Sequence, residues 1–137
     1  MDRTLVIVKP DAVAKRAIGR IIARFEGEGF RVAALKMVSL TPGEGARFYA
    51  VHRAKPFYES LTRFISSGPL VAMVLEGENA VHRVRKIMGA TDPSFAEEGT
   101  IRRELGTDVE RNAVHGSDST ASAREEIAFF FSEMDIL

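Results

Sequence analysis

The seven residues from Asn112 to Asp118, Asn-Ala-Val-His-Gly-Ser-Asp, bring an amide, an imidazole, a hydroxyl and a carboxylate together. This set suits nucleophilic or acid–base chemistry, with His115 as the group that titrates near neutrality. The apolar run beside it is only Ala113-Val114. The sequence therefore places His115 just past a very short strand, with Gly116 free to take a positive φ and turn the imidazole towards a cleft. Taken alone, the string reads more simply as a surface turn with an incidental histidine, and the rest of the chain has to decide.

Glu126 is the first residue to favour chemistry. On the predicted last helix it shares a side with Ala123 and Phe130. A carboxylate there needs a donor or it costs free energy. The helix starts just after the motif, so an N–H of His115 is the nearest obvious partner; the alternative is that Glu126 sits on the boundary and reaches water. Pairing would fix the imidazole tautomer and leave its other nitrogen as acceptor and nucleophile. Arg85, at i+4 from Val81 and i−3 from Met88, lies on the edge of an apolar helical stripe, while His82, Arg83 and Lys86 project to solvent. Its stem covers apolar surface, or its guanidinium stands over a cleft, suited to bidentate contact with phosphate. Lys9 keeps the parity of Leu5 and Ile7 and so leaves its strand from a buried face. Thr91, Arg102 and Arg103 fall in a long loop, where solvation alone would explain one of the two arginines. No G-x-x-x-x-G-K-[ST] or G-x-G-x-x-G cradle is present, and Gly27-Glu28-Gly29 and Gly43-Glu44-Gly45 read as a helix stop and a turn. A phosphate grip therefore falls to the side chains of Lys9, Arg85, Thr91 and Arg102. Tyr49 and Phe57 flank a helical break at Pro56; such an aromatic stacks on a base or simply secures the insertion. For His52, beside Tyr49, a structural hydrogen bond is the simpler account.

The elements that must position these groups follow from apolar periodicity. Thr4 to Val8 reads as a central strand closed by Lys9-Pro10-Asp11. Ile18, Ile21, Ile22 and Phe25 mark an amphipathic helix, with Arg20 and Arg24 outside, that stops at Gly27 and Gly29. A second strand spans Phe30 to Leu40. Thr41-Pro42 opens a helix running through Phe48 and Tyr49 towards His52, and a shorter helix ends at Ile65. Leu70 to Leu75 is a third strand and Asn79 to Met88 a helix. Gly89 to Arg111 shows neither period, and a loop that long is usually functional. The strand at Ala113-Val114 and a helix through Ile127 and Phe130 complete the order. With helices on one side of the sheet, this predicts an α+β sandwich of ferredoxin-like βαββαβ type: a four-stranded antiparallel sheet, a helical insertion, and a long loop before the last strand.

Composition narrows the function classes. The 137 residues suit a single domain. There is no cysteine, which excludes disulfides, thiolate metal sites and cysteine nucleophiles, and the three histidines are too scattered for a metal cage. Lys plus Arg equals Asp plus Glu at 19 each, so no global field draws nucleic acid or membrane. The apolar start, Leu5 to Val8, is too short for a signal-peptide core, which makes cytoplasm the default.

In order along the chain stand Lys9-Pro10-Asp11, Tyr49 with His52, Lys55-Pro56-Phe57, Ser67-Gly68-Pro69, Glu76-Gly77, Arg85 with Gly89-Ala90-Thr91-Asp92-Pro93, Gly99-Thr100-Ile101-Arg102, and Asn112 to Asp118. Together they resemble the nucleoside diphosphate kinase family across almost the whole chain, which implies a single domain of that kind over residues 1–137. The resemblance implies transfer of the γ-phosphate from ATP or another nucleoside triphosphate to a nucleoside diphosphate. It also implies a ping-pong route through a phosphohistidine, with Mg²⁺ held mainly by the nucleotide phosphates and no dedicated metal ligands. It makes His115 the nucleophile and Glu126 the group that orients its ring, with Ser117 as the hydroxyl beside it. Lys9, Tyr49, Arg85, Thr91, Arg102 and Asn112 match positions that contact phosphates or sugar. Phe57 matches the aromatic on which the base stacks, which accounts for broad base tolerance because every base has a π-face. A cytoplasmic homo-oligomer, a tetramer or hexamer built from dimers, is implied as well, with no nucleic-acid or membrane partner. Two features depart from the usual pattern. Arg103-Glu104-Leu105-Gly106 stands where a glycine and an acidic-aromatic pair are common, and the chain closes soon after Phe131, as in shorter bacterial-like members.

Overall fold

The computed structural model describes residues 1–137. Four strands, β1 (Asp2–Val8), β2 (Arg31–Val38), β3 (Leu70–Gly77) and β4 (Val114–Gly116), form one sheet in the order β2-β3-β1-β4. Every pairing is antiparallel, with Ile7 opposite Ala72 on one side and opposite His115 on the other. The helices are α1 (Pro10–Ala14), α2 (Ile18–Gly27), α3 (Pro42–Phe48), α4 (Tyr58–Ile65), α5 (Ala80–Met88), α6 (Ile101–Leu105) and α7 (Thr120–Phe130). This is the ferredoxin-like α+β arrangement expected, with α3 and α4 as the helical insertion.

The helices cover both faces of the sheet and not one, and β1 shows why. Val6 and Val8 pack with Ile21, Phe25, Val84 and Met88, whereas Leu5 and Ile7 pack with Tyr49, Ile65 and Phe130. Successive strand side chains point to opposite faces, so the unbroken apolar run Leu5 to Val8 demands a cover on each.

Two short helices lie where the periodicity is silent. Pro10, with its preset φ, starts α1 directly after the strand. The stretch expected to be loop between Gly89 and Arg111 contains α6, whose first turn is capped by the Thr100 hydroxyl accepting from Arg103 N–H. The departing segment Arg103 to Gly106 thus closes a helix, and Gly106 packs so tightly that a Cβ there would stand 2.5 Å from Pro93 Cγ. On α5 the stripe runs through Ala80, Val84, Ile87 and Met88. Arg83 is not free in solvent: its guanidinium lies 4.4 Å from the Phe30 ring centroid and donates to the carbonyls of Glu78 and Glu28.

The two helices that frame the site are firmly started. Thr41 and Glu44 cap α3 reciprocally, at 3.1 and 2.8 Å, and Ser119 and Ser122 do the same for α7. Each such cap contributes roughly 1 kcal/mol.

Candidate active site

On the sheet face that carries Leu5 and Ile7 lies a cavity of about 780 Å³, bordered by Lys9, Tyr49, Phe57, Arg102, Asn112 and His115, among others. Arg85, Thr91 and Glu126 reach it as well. Of the ten residues singled out from the sequence, only Ser117 does not line it. Ser117 is fully buried behind the wall.

His115 lies within β4 and not past it, paired with Ile7. It therefore shares Ile7's side of the sheet, where α7 passes. Glu126 Oε1 stands 2.7 Å from His115 Nε2, and both side chains are about one-fifth exposed, 21% and 20%. The same oxygen accepts from the Ser117 hydroxyl at 2.9 Å, and that hydroxyl accepts in turn from Leu5 N–H at 3.4 Å. With Nε2 donating to a carboxylate, Nδ1 carries the imidazole lone pair. The ring is walled edge-on by Phe48, with centroids 5.4 Å apart, and by Tyr49 at 6.5 Å.

The cations are held by backbone carbonyls, which fixes them without neutralising them. Lys9, only 4% exposed, donates from Nζ to the Glu110 carbonyl at 2.7 Å and to Asn112 Oδ1 at 3.0 Å. Burial pushes its ammonium down to about 8; Asp11 opposes the shift and Arg102 adds to it. Arg102, on α6, donates to the carbonyls of Gly89 at 3.0 Å and Val114 at 2.9 Å, while its Nε is buried without a partner. Burial first, then neighbouring Arg85, lowers it to about 10, so it stays a cation at neutral pH. Arg85 is exposed, yet its Nη1 donates to the Gly116 carbonyl at 3.2 Å, which ties it to the motif itself. Arg103 is the solvated one of the two arginines. Burial, then Glu126, pushes the Tyr49 phenol up, which keeps it protonated.

Asn112 is more committed than its place in the motif suggested. Its Oδ1 accepts from Lys9, and its Nδ2 donates to the carbonyls of Thr91 and Val109 at 3.0 and 3.1 Å. Both amide hydrogens are thus used within the protein. His52 makes no structural hydrogen bond, contrary to expectation: it lines the cavity, 5.8 Å from the Phe57 ring, with Nδ1 buried and unpartnered. Burial, then Lys55, lowers its pKa. Gly116 does not take a positive φ; Ala113 does, at 74°. Gly116 leaves room for Met88 instead: a Cβ there would lie 2.7 Å from Met88 Sδ, and that side chain would have to shift.

Sequence reasoning missed Phe48, Leu61, Val109 and Glu110 as lining residues. Leu61, one helical turn beyond Phe57, was within reach of the periodicity. Glu110 holds Lys9 through its carbonyl, which no side-chain pattern reveals. No group of three or more His, Asp or Glu side chains gathers to hold a metal. The arrangement can present one imidazole nitrogen to an anionic group and compensate its charge with three cations.

A family model described as nucleoside diphosphate kinase matches residues 2–136. The chain is 56% identical to a nucleoside diphosphate kinase of a Nitratiruptor species, over the full length of both. It is equally identical to one from Persephonella marina, covering 98% of that protein. Among solved structures it is similar to the Aquifex aeolicus nucleoside diphosphate kinase, with TM-score 0.98, 52% identity and 99% of each chain covered. It is also similar to a halophilic one from Halobacterium salinarum in complex with CDP, with TM-score 0.96 and 41% identity over 99% of this chain and 91% of that one.

Proposed function

This chain belongs to the nucleoside diphosphate kinase family, and on that premise we propose that it moves the γ-phosphate between nucleotides by a ping-pong route through phospho-His115. The observation that carries the route is the 2.7 Å bond from His115 Nε2 to Glu126, which leaves the Nδ1 lone pair as the nucleophile. Nδ1 attacks the γ-phosphorus of a nucleoside triphosphate, the bond from that phosphorus to the bridging oxygen breaks, and the diphosphate leaves with the electron pair. A terminal phosphate oxygen of a second nucleoside diphosphate then attacks the same phosphorus, the P–N bond breaks, and Nδ1 regains its lone pair. Glu126 offsets the positive charge that the ring gains while phosphorylated, and Ser117 steadies the carboxylate. Phosphoryl transfer asks mainly for positioning and for compensation of charge on the equatorial oxygens. Lys9, Arg85 and Arg102 supply that compensation, with the Tyr49 and Thr91 hydroxyls as neutral donors and Asn112 fixing the Lys9 ammonium.

Phe57, 46% exposed at the cavity rim, offers a face for a base to stack on. The CDP bound by the Halobacterium relative agrees with a base site that is not restricted to purines. The donor set fits Mg²⁺ arriving on the nucleotide: Glu126 is engaged by His115 and Ser117, and Asp118 by Ser122. When bound, the ion neutralises phosphate charge. The proposal includes one catalytic domain over residues 1–137, a cytoplasmic setting, and a tetrameric or hexameric homo-oligomer. Leu35 and Met37, 50% and 56% exposed on edge strand β2, suit subunit contact. No helix is long and apolar enough to cross a membrane.

Steady-state kinetics with ATP and GDP varied together test the route. Parallel double-reciprocal lines are expected, with no turnover by His115→Ala. Intersecting lines would mean direct transfer within a ternary complex and would overturn the phosphohistidine.

A further inference from the structure

Asn112 and His115 are three residues apart, and in a continuous strand they would project from opposite faces. Both border the same cavity. The parity is reversed at Ala113, whose φ is 74° and across which Val114 N–H donates to the Asn112 carbonyl at 2.9 Å. That bond closes a γ-turn of the rare, strained kind, with a central φ of about +75°. An alanine holds it without the freedom of glycine.

Both backbone groups of Ala113 are gripped by the segment that follows β1. Its N–H donates to Asp11 Oδ2 at 3.0 Å, and its carbonyl accepts from Lys9 N–H at 2.9 Å. Pro10, buried at the start of α1, separates the two gripping residues and presets the backbone between them. Asp11 is half-buried: its Oδ1 is shut away with no partner, and its Oδ2 makes the carboxylate's single protein bond, the one to Ala113.

We infer that Asp11 is a positioning residue: with the Lys9 amide it clamps the strained turn at Ala113 and so sets Asn112 and His115 on one wall of the phosphate site. The inference rests on His115 being the nucleophile proposed above. Without the Asp11 bond the turn relaxes, and the competent arrangement falls to about one molecule in ten or fewer, the rate of His115 phosphorylation falling with it.

A double-mutant cycle with glycine at the strained position separates this role from general support of the fold. Rapid-quench phosphorylation by γ-labelled ATP is measured for the wild type, Asp11→Ala, Ala113→Gly and the double variant. Asp11→Ala should slow labelling about tenfold or more when Ala113 is present, but by less than about threefold in the Ala113→Gly background, where the turn is unstrained. Asp11→Asn, whose carbonyl oxygen still accepts from Ala113 N–H, should recover most of the lost rate; if Asp11→Ala does not fold, Asp11→Asn is compared directly with the wild type. Equal penalties in the two backgrounds, or an Asp11→Asn rate as low as that of Asp11→Ala or more than tenfold below the wild type, would overturn the clamp. Hydrogen exchange at the Ala113 amide needs no catalysis and should speed up about tenfold in Asp11→Ala. A wild type that takes no label would refute the nucleophile, whereas a labelled wild type with an additive cycle would refute the clamp alone.

Discussion

Replacing Glu126 by alanine should cost catalysis and spare nucleotide binding. The bond removed is charge-assisted, 2.7 Å long and about four-fifths buried, with side-chain exposures of 21% and 20%. Hydrogen bonds to a charged group in such a setting contribute about 1.5–3 kcal/mol. At about 1.36 kcal/mol per decade, the rate of His115 phosphorylation should fall about 12- to 160-fold. Alanine loses both the orientation of Nε2 and the compensation of ring charge. Glu126→Gln keeps an oxygen acceptor and loses only the charge, so it should fall between alanine and the wild type. Glu126 makes no bond to Lys9, Arg85 or Arg102, so the affinity for a non-hydrolysable triphosphate analogue should stay within about threefold. Rapid-quench labelling gives the rate and equilibrium titration the affinity. An unchanged rate, or an affinity that falls in step with the rate, would refute the division of labour between ring orientation and charge complementarity.

Other perturbations address the remaining walls of the site. Lys9 titrates at about 8 in the free protein, so nucleotide affinity should decline as pH rises through about 8, and Lys9→Gln should bind weakly without that inflection. The same depression acts on stability with the opposite sign. From about 8 up to its ordinary 10.5 the unfolded chain binds more protons at Lys9, so its contribution to stability grows across that window, as pH-dependent denaturation would register. Phe57→Ala should weaken binding of adenine, guanine and cytosine nucleotides alike by about 5- to 160-fold, the value of one stacked base, in competition titrations. A loss confined to one base would place the base elsewhere. Gly106→Ala forces a Cβ to 2.5 Å from Pro93 Cγ and 2.7 Å from the Arg102 carbonyl, neither of which can swing aside. Overpacking of this kind costs about 1–3 kcal/mol and should lower Tm by about 3–12 °C in a calorimetric scan.

Long periodic elements were legible in the chain, and so was much of the site. The parity of Lys9 with Leu5 and Ile7 brings it to the cavity, and the helical side shared by Glu126, Ala123 and Phe130 brings that carboxylate to the imidazole. Five-residue helices such as α1 and α6 carry too few turns for a period to show. Periodicity therefore could not separate Arg102, buried on α6, from Arg103; the run Gly99-Thr100-Ile101-Arg102 did. The second layer of helices was implied by the unbroken run Leu5 to Val8, but the element order alone suggested a one-sided sheet. Glycine's general preference points to a positive φ at Gly116. Long-range bonds from Lys9 and Asp11 place it at Ala113 instead, and Gly116 serves to admit Met88. The missing hydrogen bond of His52 was equally out of reach, because a buried unpartnered atom is a property of the folded packing.

A phosphoryl group carried on His115 Nδ1 would be seen by isolating the protein after brief exposure to γ-labelled ATP and Mg²⁺ and then adding GDP. One acid-labile, base-stable phosphate per chain is expected, on Nδ1 of His115, passing quantitatively to GDP to give GTP. A wild type that retains no label, or an undiminished label on His115→Ala, would contradict it.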